Sequence, residues 1–169
     1  GKARLAATTE LPGGTFLRVP SDEEIERDSN AAFLHVTSTN TVMGTQFAQL
    51  PSSPGVPLVV DMSSDILGRP FDVSQMGVAY AGAQKNMGPS GITVVIIRRD
   101  LIESGRTDIP FVFQYRTQSS ARSLSNTIPT FGVYMLRNVL AWLDGLGGVD
   151  AIYAQNLAKA KQLYDVLEE

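Results

Sequence analysis

Four apolar runs punctuate the chain between residues 31 and 99. "AAFLHVTST" (31–39), "VPLVVDMS" (56–63), "VAYAGA" (78–83) and "GITVVIIRR" (91–99) are dominated by valine, isoleucine and small residues. Each is flanked by Gly, Pro, Ser or Asn, so each is read as a β-strand. None alternates cleanly between apolar and polar positions, which is how strands covered on both faces appear. The segment 62–77 is long enough for the crossover that a parallel pair requires, whereas "KNMGPSG" is short and turn-rich and predicts an antiparallel reversal. The expected architecture is α/β: a mixed, mostly parallel sheet with helices on both faces.

Around this centre the pattern changes. Residues 1–30 are polar, with "LPGG" as a turn and "SDEEIERD" as a short solvated helix or loop. Residues 100–127 read as irregular, with "RTQSSARSLSNT" as a long loop, and loops of that length are functional or disordered. In "TFGVYMLRNVLAWLDGLGG", Leu136, Val139, Leu140 and Leu143 trace one helical face, which Phe131, Tyr134, Met135 and Trp142 thicken. Such a helix belongs in a core or at a subunit contact. Gly145, Gly147 and Gly148 stop it. The last helix carries a stripe of Tyr153, Leu157, Ala160, Tyr164 and Leu167 that needs something to pack on. The chain opens without methionine and ends inside that helical pattern, so the expectation is a piece of a longer protein.

Composition narrows the chemistry. With 43% hydrophobic and 18% charged residues the chain has the make-up of a globular domain. A net charge of −3 argues against nucleic-acid and anionic-membrane surfaces. There is no cysteine, which removes disulfides, thiolate nucleophiles and zinc–thiolate sites. His35 is the single histidine, so a Ser-His-Asp triad would have to recruit it; a structural hydrogen-bonding role suits it better. "ITVVII" is too short to span a bilayer, and the expected location is the cytoplasm.

In an open α/β sheet, ligands collect beyond the carboxyl ends of the strands. Thr41 follows the first strand, Asp61 closes the second, and Gln84 and Lys85 follow the third. With the second and third strands parallel, Asp61 and Lys85 emerge at one edge. An amine and a carboxylate there suit a pyridoxal phosphate enzyme, where a lysine bonds to the cofactor and a carboxylate faces the pyridine nitrogen. The same residues also suit a solvated turn lysine and a capping aspartate in "DMSSD". Asp61 with Asp65 is a further alternative as a magnesium pair, although no glycine-rich phosphate loop accompanies them. Ser63 and Ser64 lack a visible activating base.

Three longer stretches resolve this choice by resemblance. "HVTSTNTVMGTQF", "VVDMSSDILGRPFDVSQMGVAYAGAQKNMGPSGITVVIIRRDL" and "SLSNTIPTFGVYMLRNVLAWLDGLGG" occur in the order, and with the motifs, of the phosphoserine aminotransferase family. That family belongs to the class V group of fold-type I pyridoxal phosphate enzymes. The resemblance implies that Lys85 bonds to the cofactor and that Asp61 partners its ring nitrogen. It implies that Thr41 binds the cofactor's phenolic side and that Gln84 lies beside its phosphate. Asn126 and Thr127 would reach the phosphate of a partner's cofactor across a homodimer interface. The implied reaction is amino transfer between O-phospho-L-serine and 2-oxoglutarate, yielding 3-phosphohydroxypyruvate and glutamate, in serine biosynthesis; no metal is implied.

The resemblance also marks what the chain lacks. The family's glycine-alanine phosphate loop, ring-stacking tryptophan and substrate arginine precede the matched region, and its small C-terminal domain follows. Residues 1–148 are therefore expected to be a partial large cofactor-binding domain. Residues 149–169 are expected to be a helix leading toward the small domain. Trp142 stands in the wrong motif to stack on the cofactor, and no motif supports Arg116 or Arg122 as phosphate contacts. The chain alone is expected to be inactive. Two alternatives remain: another class V activity, or a non-catalytic α/β binding domain.

Overall fold

The structure is a computed structural model that describes residues 1–168. An N-terminal hairpin pairs β1 (Glu10–Leu11) with β2 (Thr15–Phe16) around the expected "LPGG" turn. The acidic run forms a single 3-10 turn, Asp22–Glu24, closed by a reciprocal cap between Ser21 and Glu24. Next come β3 (Leu34–Thr37), β4 (Thr39–Asn40), β5 (Thr45–Gln46), β6 (Leu58–Asp61), β7 (Val78–Gly82) and β8 (Thr93–Ile97). Helices α1 (Arg99–Glu103), α2 (Tyr115–Ser120), α3 (Thr130–Gly145) and α4 (Gly148–Glu168) complete the chain.

The four apolar runs form one sheet in the order β3-β6-β7-β8. β3, β6 and β7 are parallel, and β8 reverses against β7 with Gly82 opposite Thr93. The mixed, mostly parallel sheet of the sequence reading is thus observed. Its register places Thr37 and Asp61, the last residues of β3 and β6, beside Tyr80 in the middle of β7.

Period-two geometry sorts the side chains onto two faces. Leu34, Val36, Leu58, Val60, Ala79 and Ala81 point to one face and form the core with Met62, Ile66, Met76, Met87 and Leu136 of α3. Val60, Ala81 and Ala83 are 0% exposed. Burying each large member of this set contributes roughly 1.5–3 kcal/mol. The other face carries His35, Val59, Asp61, Tyr80 and Val95, all half-buried or exposed. There the phenol of Tyr115, at the start of α2, lies near that of Tyr80.

Two expectations need correction, and a third is narrowed. First, the run 31–39 does not continue as one strand: Thr39 leaves β3 and opens the small β4–β5 hairpin. The pairing is anchored by Phe47 N–H donating to the Ser38 carbonyl at 3.0 Å. Second, residues 100–127 are not wholly irregular. They hold α1, a 3-10 turn at Phe111–Phe113, and α2. These helices are too short to show periodicity, and tertiary bonds hold them: Arg116 of α2 donates to the Glu103 and Gly105 carbonyls. Of the two places expected for α3, a core or a subunit contact, this chain does not supply the first. Gly132 packs against Ile92, where a Cβ would come within 3.2 Å of its side chain, but Phe131 is 73% and Trp142 61% exposed. The stripe on α4 is likewise uncovered at Leu157, Tyr164 and Leu167.

Candidate active site

The turn after β6 organises the site. Asp61 ends β6 half-buried, and its Oδ1 accepts the Ser63 N–H at 2.9 Å. Ser63 Oγ accepts the Gly82 N–H at 3.1 Å, which extends the bridge between the ends of β6 and β7. The carboxylate also faces the Tyr80 phenol on the same side of the sheet.

Past β7 the chain makes one α-type turn, with Met87 N–H donating to the Ala83 carbonyl at 3.0 Å. The Asn86 amide donates to the Ile66 carbonyl at 2.9 Å and fixes this turn against the one after β6. Lys85 therefore projects over that neighbouring turn. Its Nζ donates to Ser64 Oγ at 2.7 Å and to Thr41 Oγ1 at 3.3 Å, and the two hydroxyls lie 2.7 Å apart. The amine and the Asp61 carboxylate share one rim of the sheet, joined through the short segment 61–64. Gln84 is exposed, with its amide folded over Gly82; a Cβ at Gly82 would push that flexible amide aside.

Thr41 reaches the amine from the loop of the β4–β5 hairpin, and Asp65 holds that hairpin in place. The buried Asp65 carboxylate accepts from Ser38 Oγ and, at 3.1 Å, from the Gln46 amide. Arg69 lies 3.7 Å from it, donates to the Phe47 and Ala48 carbonyls, and stacks 4.1 Å above the Phe71 ring. A buried carboxylate is tolerable only with such partners. Asp65 is therefore committed to the scaffold, and the magnesium alternative loses its second ligand. Among the described residues no group of three acidic or histidine side chains is placed to hold a metal.

His35 takes the structural role expected of it. Its Nε2 lies 3.0 Å from the Tyr80 hydroxyl, and the rings stack with centroids 6.0 Å apart. Burial, and then the Asp61 carboxylate, push the Tyr80 phenol above its ordinary pKa. Asn126 and Thr127 lie exposed between α2 and α3, with the Asn126 amide donating to the Thr127 carbonyl at 3.0 Å. Neither bonds to Thr41, Asp61 or Lys85 among the described residues. Arg116 is spent on backbone carbonyls.

Sequence reasoning missed Ser64 and the Ser38–Gln46–Asp65 support. Ser64 lacked an activating base in the sequence, and its true neighbour, Lys85, is brought in only by the parallel pairing. The donor set fits pyridoxal phosphate: an amine held by neutral hydroxyls to meet an aldehyde, and a half-buried carboxylate at the end of the neighbouring strand to meet a ring nitrogen. A cavity of about 660 Å³ involves residues 1–7, Ile25 and Val36 and none of Thr41, Asp61 or Lys85, so it is separate from this chemistry.

Known proteins carry the same arrangement of sequence and fold. The family model for class-V aminotransferases matches residues 13–169. A phosphoserine aminotransferase from Geobacillus kaustophilus is 51% identical over the whole chain, which spans 46% of its length. The solved phosphoserine aminotransferase from Bacillus circulans subsp. alkalophilus is 44% identical and superposes with a TM-score of 0.94 over 100% of this chain and 46% of its own. The enzyme from Trichomonas vaginalis, solved with PLP bound, is 34% identical with a TM-score of 0.85 over 93% of this chain and 46% of its own. The chain thus spans less than half the length of these relatives.

Proposed function

The chain belongs to the class-V aminotransferase family, and on that premise we propose that it is the central part of the large domain of a phosphoserine aminotransferase. The reaction is reversible amino transfer between O-phospho-L-serine and 2-oxoglutarate, giving 3-phosphohydroxypyruvate and glutamate. Residues 1–148 supply part of the cofactor-binding domain, and α4 leads toward a small C-terminal domain. The observation that carries this reading is the placement of Lys85 and Asp61 on one rim, within a chain 51% identical to a relative of that name.

When bound, pyridoxal phosphate supplies an aldehyde for bonding amines and a ring that accepts electron density from the substrate's α-carbon. Lys85 would anchor it and would be the residue placed to move the substrate's α-proton. The Asp61 carboxylate would face the ring nitrogen and favour its positive form. Thr41 would bind on the phenolic side, and Gln84 would lie beside the phosphate. The exposed apolar residues Phe111, Phe113, Phe131 and Trp142 suit a second copy, which brings Asn126 and Thr127 to its neighbour's cofactor. Such exposed apolar surface marks an interface.

Borohydride reduction of the full-length holoenzyme, followed by peptide mapping, is expected to label Lys85. Lys85→Ala is expected to lower turnover by more than about 10⁴-fold, since it removes both anchor and base. A label on another lysine removes the catalytic assignment. A full-length enzyme that shows no preference for phosphoserine over other amino donors removes the substrate assignment.

A further inference from the structure

The triangle formed by Lys85, Thr41 and Ser64 contains a hydroxyl that the reading above does not use. Ser64 Oγ is the nearer partner of the amine, at 2.7 Å against 3.3 Å for Thr41, and it touches Thr41 at 2.7 Å. We propose that Ser64 is a positioning residue for the Lys85 amine, holding it whenever the amine is not bonded to cofactor, and so setting how fast that bond forms. The proposal rests on the pyridoxal phosphate reading of the site.

The chemistry of the partners supports it. Among the described residues Lys85 takes part in no ion pair. A carboxylate at hydrogen-bond distance would favour the ammonium form of an amine, which has no lone pair to give. A hydroxyl accepts a hydrogen from either form. A neutral amine that donates one N–H to Ser64 and the other to Thr41 keeps its lone pair directed away from both oxygens. That pair forms the bond to the aldehyde carbon; the aldehyde oxygen then leaves with the two amine hydrogens as water. Without the cradle, a four-carbon side chain on an exposed turn samples many rotamers, and ordering it at each encounter costs free energy.

The position of Ser64 is itself fixed. Its neighbour Ser63 is held at both ends, by its N–H to Asp61 and its Oγ from Gly82. Asp65, the next residue, is buried and bonded to Ser38 and Gln46. The same carboxylate that fixes the Ser64 turn also fixes the hairpin carrying Thr41, so both hydroxyls are delivered by one support.

The test uses the full-length apoenzyme and two probes. Pyridoxal phosphate must bond to Lys85; pyridoxamine phosphate has an amine in place of the aldehyde and cannot. Ser64→Ala is expected to slow the growth of the long-wavelength absorbance band with pyridoxal phosphate by about tenfold or more, the worth of one hydrogen bond to an amine. Its affinity for pyridoxamine phosphate is expected to stay within about twofold, and Ser64→Thr is expected to recover most of the rate. Equal losses with both probes, or an unchanged rate with pyridoxal phosphate, overturn the proposal. If the unsubstituted apoenzyme forms no such band, the cofactor reading itself fails, which is a separate result.

Discussion

The two faces of the central sheet are built from the same kind of strand and do different work. Val60 and Val59 are adjacent in β6, yet Val60 is 0% exposed in the core while Val59 stands half-buried beside His35, Asp61 and Tyr80. The covered face is apolar from β3 to β7 and is closed within the chain by Met62, Ile66, Met87 and Leu136. The second face mixes valines with a histidine, a carboxylate and a phenol. One face holds the strands together; the other presents Asp61. Polar groups can be kept on a sheet face only where ligand, water or further protein completes them.

The largest effect that divides the faces is expected from Asp61→Ala in the full-length protein. Turnover should fall by about 10²–10³-fold, because the carboxylate proposed to face the ring nitrogen is lost, while stability falls by less than for a core substitution. A fall in stability as large as that of a core substitution would make Asp61 a scaffold residue and erase the distinction. Steady-state kinetics beside thermal unfolding decide it.

Next in size is Val60→Ala, expected to cost roughly 2–3 kcal/mol through lost burial and the cavity left behind. Its neighbour sharpens the comparison. The strand runs lack polar alternation, which predicts cover on both sides, and the chain spans 46% of the length of its relative. In the full-length protein Val59→Ala is therefore expected to cost more than half as much as Val60→Ala. A cost well under half that of Val60→Ala in urea unfolding would mean that the second face stays open in the whole protein.

What the sequence disclosed follows the same division. The strands, their parallel crossover and the β7–β8 reversal were legible because valine and isoleucine runs and glycine turns are local signals. Asp61 and Lys85 were legible as strand-end polar residues. The β4–β5 hairpin was not: Thr39–Asn40 and Thr45–Gln46 are two polar pairs with no apolar alternation, held by Asp65 from far along the chain. Ser64 was invisible for a related reason. A serine in "DMSSD" looks like any cap until parallel pairing brings Lys85 above it. The exposure of α3 shows the limit from the other side: its apolar pattern states that it must be covered, and the pattern is silent on what covers it.

The smallest expected effect concerns Tyr80, the phenol beside Asp61. Burial and the Asp61 carboxylate raise its pKa in the folded protein. Below the ordinary phenol value of about 10 both folded and unfolded chains keep the proton, and this group gives stability no pH dependence. As pH rises past that value the unfolded chain ionises first and the folded one resists. Stability therefore falls with rising pH until the raised folded value is passed. Tyr80→Phe cannot ionise, so it should flatten the alkaline limb measured by urea unfolding between about pH 9 and 11. At neutral pH it should lose only about 1 kcal/mol, the hydrogen bond to His35 at 3.0 Å. An alkaline limb that keeps its full slope in Tyr80→Phe would place the titrating group elsewhere, and the carboxylate's influence on this face would be smaller than the geometry indicates.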